Sequence, residues 1–202
     1  MGVKELAKRA LLTYRLRRNG VHRHMSVFSH TTPSERLTLF HLARSLPRGA
    51  RALEIGSHIG SSALFLCAGL RHCGGRLICV DTWMNQTMPD GEKDTFPLFT
   101  KNTNLYADMI TPIRKLSSEL SSDNIEGELD LAFIDGDHRE ETVRGDFHFV
   151  AQRLKLGGLI VFHDVSTPFP GVAIVLGEAL ASGDWLLTRY LDQMGVIKRV
   201  RK

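Results

Sequence analysis

Between Arg51 and Ser62 the chain reads Arg-Ala-Leu-Glu-Ile-Gly-Ser-His-Ile-Gly-Ser-Ser, and no other stretch restricts the fold as much. A short apolar run passes through an acidic residue, Glu54, and breaks into Gly56-x-x-x-Gly60. That order predicts a strand, a glycine turn and a helix, because glycine turns at positive φ and lets a backbone approach a ligand with no Cβ in the way. A nicotinamide dinucleotide is disfavoured. Its pyrophosphate calls for Gly-x-Gly-x-x-Gly, and His58 stands where that tighter turn needs its second glycine.

The remaining pattern alternates helices and strands. A helix is expected over residues 34–45, with Ser34 as a cap and Leu37, Phe40 and Leu42 among its apolar residues, before a first strand ending at Glu54. A helix over 60–71 and a strand over 76–80, closed by Asp81, follow. Residues 82–94 carry Trp83, Met84, Met88, Pro89 and Gly91 without clean periodicity, which suits a lid loop. Pro112 makes the run 110–114 an edge strand, and the apolar run 129–134 reads as a strand buried on both faces. Val143, Phe147, Val150, Ala151 and Leu154 recur at helical spacing, predicting a helix from His138 to Leu156 that Gly157-Gly158 ends. A strand over 159–162 then runs into His163 and Asp164. Runs 185–191 and 195–200 lie too close together for a parallel crossover, so they form a hairpin.

With 202 residues and 43% hydrophobic content, one compact domain is expected. The boundary falls near Thr31-Thr-Pro33, giving a basic helical extension over 1–32 and the domain proper over 33–202. In the extension, Lys4, Lys8, Arg9, Arg15, Arg17, Arg18 and Arg23 interleave with Leu6, Leu11, Leu12 and Leu16, which predicts an amphipathic helix. It could lie on an anionic membrane, contact nucleic acid, cover a site or join two subunits. Three cysteines without Cys-x-x-Cys spacing indicate neither a disulfide framework nor a zinc site, and fit a reducing cytoplasm. No apolar run is long enough to span a bilayer.

These residues together resemble the class I S-adenosylmethionine-dependent methyltransferases, especially the small O-methyltransferases grouped with the catechol and macrolide-sugar enzymes. The resemblance spans roughly Leu53 to Lys198 and rests on Glu54-x-Gly56-x-x-x-Gly60, on Asp81, on Asp135-Gly-Asp-His138 and on His163-Asp164. It implies a Rossmann-like seven-stranded sheet in the order 3-2-1-4-5-7-6, mostly parallel with a C-terminal antiparallel hairpin and helices on both faces. It also implies S-adenosylmethionine as cofactor, with contacts from Glu54, Gly56, Ser57, Gly60, Asp81, Thr82, Trp83, Ser117, Ser118 and Asp135. Asp81 would accept the ribose hydroxyls. N-terminal segments of such relatives cap the site or build a dimer, so those two roles are preferred here, and a homo-oligomer is admitted.

The resemblance also implies the chemistry. Neighbouring strands would deliver Asp135 and His163-Asp164 to one sheet edge, where open α/β sheets bind ligands. Methylating a hydroxyl requires removing or polarising its proton. A divalent cation, Mg²⁺ or Mn²⁺, held by Asp135, His163 and Asp164 would do so, as would His138 or His163 acting as base, with Asp135 beside the cofactor's sulfonium. A histidine where metal-dependent relatives carry Asp-Asp or Asp-Asn weakens the magnesium reading. Of Asp137 and His138, one caps the following helix and the other serves the site. The stiff loop Thr167-Pro-Phe-Pro-Gly171 could form an acceptor wall, although Phe169 reads equally as a core plug, and Trp83 offers a stacking surface although core packing is the commoner role of a lone tryptophan. The acceptor is expected to be a small hydroxylated metabolite rather than nucleic acid, because base methyltransferases carry Asp/Asn-Pro-Pro-aromatic where this chain has Asp135-Gly-Asp-His138.

Overall fold

The computed structural model describes residues 3–85 and 91–201, with side chains from residue 6 onward. Seven strands form one sheet: β1 (Arg51–Ile55), β2 (Arg76–Asp81), β3 (Ile110–Arg114), β4 (Leu129–Ile134), β5 (Leu154–Phe162), β6 (Trp185–Leu191) and β7 (Met194–Arg199). Their order is β3-β2-β1-β4-β5-β7-β6. The first five are mutually parallel, and β7 pairs antiparallel with both β5 and β6. The two-residue connection between β6 and β7 leaves no alternative to a hairpin. The sheet order implied by the resemblance is therefore the observed one.

Because side chains alternate across a strand, the central strands feed two separate cores. Ala52, Leu77, Cys79, Leu131, Phe133 and Val161 point to one face, where they meet helices α2 (Pro33–Arg44) and α3 (Ser61–Leu70). Leu53, Val80, Ala132, Ile134, Ile160 and Phe162 point to the other, under α5 (Glu140–Ala151) and α6 (Pro170–Ala181). A basic helix α1 (Val3–Arg18) precedes α2, and a short α4 (Phe96–Thr103) places Phe99 on the first core. Cys67, Cys73 and Cys79 are free and buried. Among the described residues, no helix is long and apolar enough to cross a membrane.

Four boundaries differ from expectation. Thr32, not Ser34, caps α2: its hydroxyl accepts from the Glu35 N–H, Glu35 returns a bond to the Thr32 N–H, and Pro33 occupies the first helical position. The helix expected over 138–156 covers only Glu140–Ala151, and Leu154 opens β5 opposite Leu129. Leu154 satisfies both a helical and a strand pattern, so periodicity alone cannot end the helix there. Gly157-Gly158 consequently lies inside a strand, in a bulge between the pairs Leu129–Leu154 and Leu131–Leu159. Finally, Pro170 and Gly171 begin α6 rather than extending a stiff loop. Helices α4 and α6 have no counterpart in the expected pattern, and α6 is too uniformly apolar to show a stripe.

Candidate active site

The sheet register builds the site. Ile113, Val80, Ile55, Ile134 and Phe162 form one row across five parallel strands. The ladder continues one rung further, with N–H bonds from Gly56 to Val80, from Asp135 to Ile55 and from His163 to Ile134. The first residues past the row are Arg114, Asp81, Gly56, Asp135 and His163. Groups far apart in sequence thus leave the same sheet edge side by side, where open α/β folds take ligands.

At the β1–β2 end the construction is mostly backbone. Gly56 has φ 88°, and a Cβ there would run into the Asp135 carbonyl. Gly60 has φ 86°, and its Cβ would meet the Thr103 methyl. The chain itself therefore demands both glycines, whatever lies above them. Between them His58 also takes a positive φ, 42°. Its N–H donates to Asp81 at 2.7 Å, while the other Asp81 oxygen accepts from the Trp83 N–H at 2.7 Å. Each oxygen keeps lone-pair capacity for a further donor. Trp83 is not a stacking platform: its side chain is fully buried, packed on Phe96 and Phe99, and its indole N–H holds the His58 carbonyl at 2.8 Å. Thr82 turns the chain locally, accepting from the Met84 N–H.

A narrow cleft opens over this turn, with a cavity volume of about 40 Å³. Gly56, Ser57, His58 and Asp135 line one side, and Phe28 to Thr31 line the other. The segment following α1 therefore walls the cleft. Glu54 lies beneath, fully buried, with Oε1 lacking any partner, and burial pushes its carboxyl up to about 7 against the pull of Ser57, Ser62 and Cys79. The loop expected as a lid is pinned at its neck by Thr95 N–H to the Trp83 carbonyl and Asn85 Nδ2 to the Gly91 carbonyl. Met88 and Pro89 lie outside the described residues.

Side chains, not backbone, build the β4–β5 end. Asp135, His138 and Asp164 each offer a ligand atom within 4.8 Å of the other two. His138 Nε2 lies 2.9 Å from Asp164 Oδ2, and its ring lies against Phe169 with centroids 4.2 Å apart. His163 faces the same carboxylates through Nδ1, at 3.0 Å from Asp135 and 3.1 Å from Asp164, while its Nε2 meets Glu35 at 3.2 Å. Burial alone would lower the His163 pKa, but Asp135, Asp164 and Glu35 push it up to about 12. Without a cation between the carboxylates, His163 carries the positive charge there, so it is a poor general base. His138 is raised by Asp164, and Asp164 is held well below the carboxylate range by both histidines despite its burial. Burial raises Asp135 against the pull of His163. Asp164 sits at φ 55°, a conformation that aspartate tolerates better than most residues.

Asp135, His138, His163 and Asp164 thus come together at the strand ends, but the group whose ligand atoms converge is Asp135, His138 and Asp164 rather than the expected Asp135, His163 and Asp164, because His163 turns its Nε2 to Glu35. Neither Asp137 nor His138 caps α5, whose N-cap is Arg139 without a side-chain cap; Asp137 instead accepts from the Arg139 N–H and guanidinium and from Thr142. Ser117 and Ser118 open a short 3₁₀ turn after β3. Ser118 is exposed, whereas Ser117 neighbours Asp146, a buried residue whose carboxyl burial pushes up to about 6. Asp146 Oδ2 has no partner. Neither Asp146 nor Glu35 stands out in the sequence: the first sits among the apolar positions of α5, and the second reads as an ordinary helix-start acid.

Comparison with known proteins gives the same picture. Residues 53–165 match the family described as "Methyltransferase domain". The whole chain superposes on an O-methyltransferase from Bacillus cereus in complex with SAH at a TM-score of 0.69, with 18% identity over 95% of this chain and 91% of that one. The SAH-bound methyltransferase PaMTH1 of Podospora anserina gives 0.67 and 18%, covering 100% and 98%. The O-methyltransferase NovP gives 0.70 and 14%, covering 86% and 84%. At such identities the superpositions establish a shared fold.

Proposed function

Because the chain belongs to the methyltransferase domain family, we propose that it moves the methyl group of S-adenosylmethionine onto a hydroxyl oxygen of a small acceptor, a sugar or a phenol. The observation that carries this reading is the convergence of Asp135, His138 and Asp164 at one point beside the cleft over the glycine turn. An alcohol is a poor nucleophile while protonated, and this cluster supplies what its activation requires. His138 takes the acceptor's proton on Nδ1, with its ring fixed by the Nε2 contact to Asp164 and by Phe169. Asp164 stabilises the imidazolium that results. The acceptor enters between His138 and the wall formed by residues 28–31.

The cofactor fits the other half. Glu54 lies buried beneath the cleft with Ser57, Ser62 and Cys79 around its carboxyl, and Asp135 lines the cleft. These are suitable neighbours for an ammonium and a sulfonium. Asp81 keeps acceptor capacity for two ribose hydroxyls, and Thr82, Ser117 and Ser118 flank the adenine side. Gly56 and Gly60 keep the floor free of side chains. In this reading residues 33–202 form the catalytic domain, and residues 1–32 an extension whose last residues close the cleft.

The donor set also fits a divalent cation, with Asp135, Asp164 and one imidazole as ligands; when bound, such an ion would polarise the acceptor oxygen as a Lewis acid. The imidazole favours Mn²⁺ over Mg²⁺. His163 competes with any such ion for both carboxylates. The test is to incubate the protein with S-adenosylmethionine and a panel of phenolic and sugar acceptors, following S-adenosylhomocysteine formation before and after chelation, with Mn²⁺ or Mg²⁺ restored. Turnover lost on chelation and regained with the ion supports a metal-assisted reaction, while undiminished turnover assigns activation to His138 alone. No turnover with any acceptor, together with no calorimetric binding of S-adenosylhomocysteine, overturns the reading.

A further inference from the structure

Glu35 is an unusual helix-start residue. A capping-box glutamate serves its own helix and faces water, yet this one is 1% exposed and touches two distant parts of the chain. Oε2 accepts from the Thr32 N–H at 2.7 Å and meets His163 Nε2 at 3.2 Å, 128 residues away. Oε1 accepts from the Gln193 N–H in the β6–β7 turn at 3.0 Å. The Thr32 hydroxyl reaches the same turn, donating to Asp192 at 2.8 Å. The carboxylate is thus fixed from two sides before it meets the imidazole.

A ring whose outer nitrogen is held by an immobile carboxylate has only one nitrogen left to present, and its plane cannot turn. In His163 that nitrogen is Nδ1, the atom lying between Asp135 and Asp164. We infer that Glu35 is a positioning residue of the acceptor-activating cluster: it fixes the ring plane of His163, and through it the placement of Asp135 and Asp164. This rests on the function proposed above. It assigns a role in the reaction to the start of α2, a segment that otherwise serves only the fold. Outer carboxylates that orient metal-bound histidines are worth about 10–100-fold in activity, and a loss of that order is the expectation for Glu35, which orients a histidine held by carboxylates.

The test compares Glu35→Ala and Glu35→Gln with Thr32→Ala, which breaks the same capping box from its other side but leaves the carboxylate on His163. Methyl transfer should fall about 10–100-fold in kcat for Glu35→Ala. Glu35→Gln, which still offers an oxygen to Nε2–H, should recover part of that loss. KM for S-adenosylmethionine should stay within about threefold, and Thr32→Ala should keep kcat within about threefold, both below the tenfold step that marks 1.4 kcal/mol. Equal kcat losses in Thr32→Ala and Glu35→Ala would reduce Glu35 to a helix cap and overturn the inference, as would an unchanged kcat in Glu35→Ala. A second measurement needs no turnover: with ¹⁵N-histidine labelling, Glu35→Ala should shift the ring signals of His163 and His138, and Thr32→Ala should leave them in place. Unmoved ring signals in a folded Glu35→Ala protein overturn the inference even if the chain methylates nothing, whereas shifted signals in an inactive wild-type chain sustain it and reject only the proposed reaction.

Discussion

The two halves of the sheet edge are built from different materials. At the ends of β1 and β2 the geometry is made by backbone: two glycines at positive φ, a left-handed His58, and N–H groups aimed at Asp81. At the ends of β4 and β5 it is made by four titratable side chains whose charges hold one another. A backbone-built half resists change through sterics and fails by not folding. A charge-built half can lose a single proton or oxygen, keep its fold and fail only in function.

Four tests, with five substitutions, sharpen this contrast. The largest effect is expected from Gly56→Val, whose side chain would collide with the Asp135 carbonyl in a backbone conformation that a β-branched residue avoids. It should lower stability by more than about 4 kcal/mol. Urea melts that show a normally stable variant would break the claim that this half is steric. Next come Asp135→Asn and Asp164→Asn, each expected to cut kcat by about 10²–10⁴-fold, the range of a lost acid–base contribution, while melting temperature and S-adenosylhomocysteine affinity change little. A loss of folding instead of turnover would erase the distinction between the halves.

Third is Glu54, the charged group buried on the backbone-built side. Its folded pKa of about 7 lies above the usual carboxylate value, so between roughly pH 4.5 and 7 the folded chain holds a proton that the unfolded chain has released. Stability should therefore fall as pH rises through that window, by up to ~3 kcal/mol, and level off above it. Glu54→Gln should reduce that slope, in melts recorded from about pH 4.5 to 7.5, to the share left by Asp146, whose carboxyl is also raised, and an undiminished slope would assign the proton elsewhere. The smallest effect belongs to Asp81→Ala, which should weaken S-adenosylhomocysteine binding by about 1–3 kcal/mol through lost charge-assisted hydrogen bonds. Calorimetry showing equal affinity in the folded variant would remove Asp81 from the ribose.

The same contrast governs what the sequence discloses. Strand ends announce themselves: Asp81, Asp135 and His163-Asp164 each follow an apolar run, and the short spacing between residues 191 and 195 dictates a hairpin. Glycine positions are also plain, although their cause is not; Gly56 reads as room for a ligand, yet its first obligation is to the Asp135 carbonyl. What stays hidden depends on long-range partners. Thr32-x-x-Glu35 is a visible capping box that marks the true start of α2, but nothing local indicates that Glu35 meets a residue 128 positions away. Asp146 is hidden likewise, since a single acid between Val143 and Phe147 looks like the polar side of an amphipathic helix and is instead buried beside Ser117. Trp83 shows an alternative that only the fold decides: a tryptophan after β2 reads as stacking surface or as core, and its ring proves to be core.

The three buried cysteines have a use unrelated to chemistry at the site. Cys67 lies on α3, Cys73 in the turn after it and Cys79 on β2, so they sample one wall of the fold at three positions. Burial pushes the Cys67 and Cys79 thiols up, which leaves almost no thiolate for an alkylating reagent while the chain is closed. Their labelling rates therefore record how often that wall opens. Three equal rates describe a single cooperative opening, and a faster Cys73 describes fraying of the turn alone. Repeated with cofactor present, the same reagent and a mass spectrometer turn these silent residues into a clock for the backbone-built half of the site.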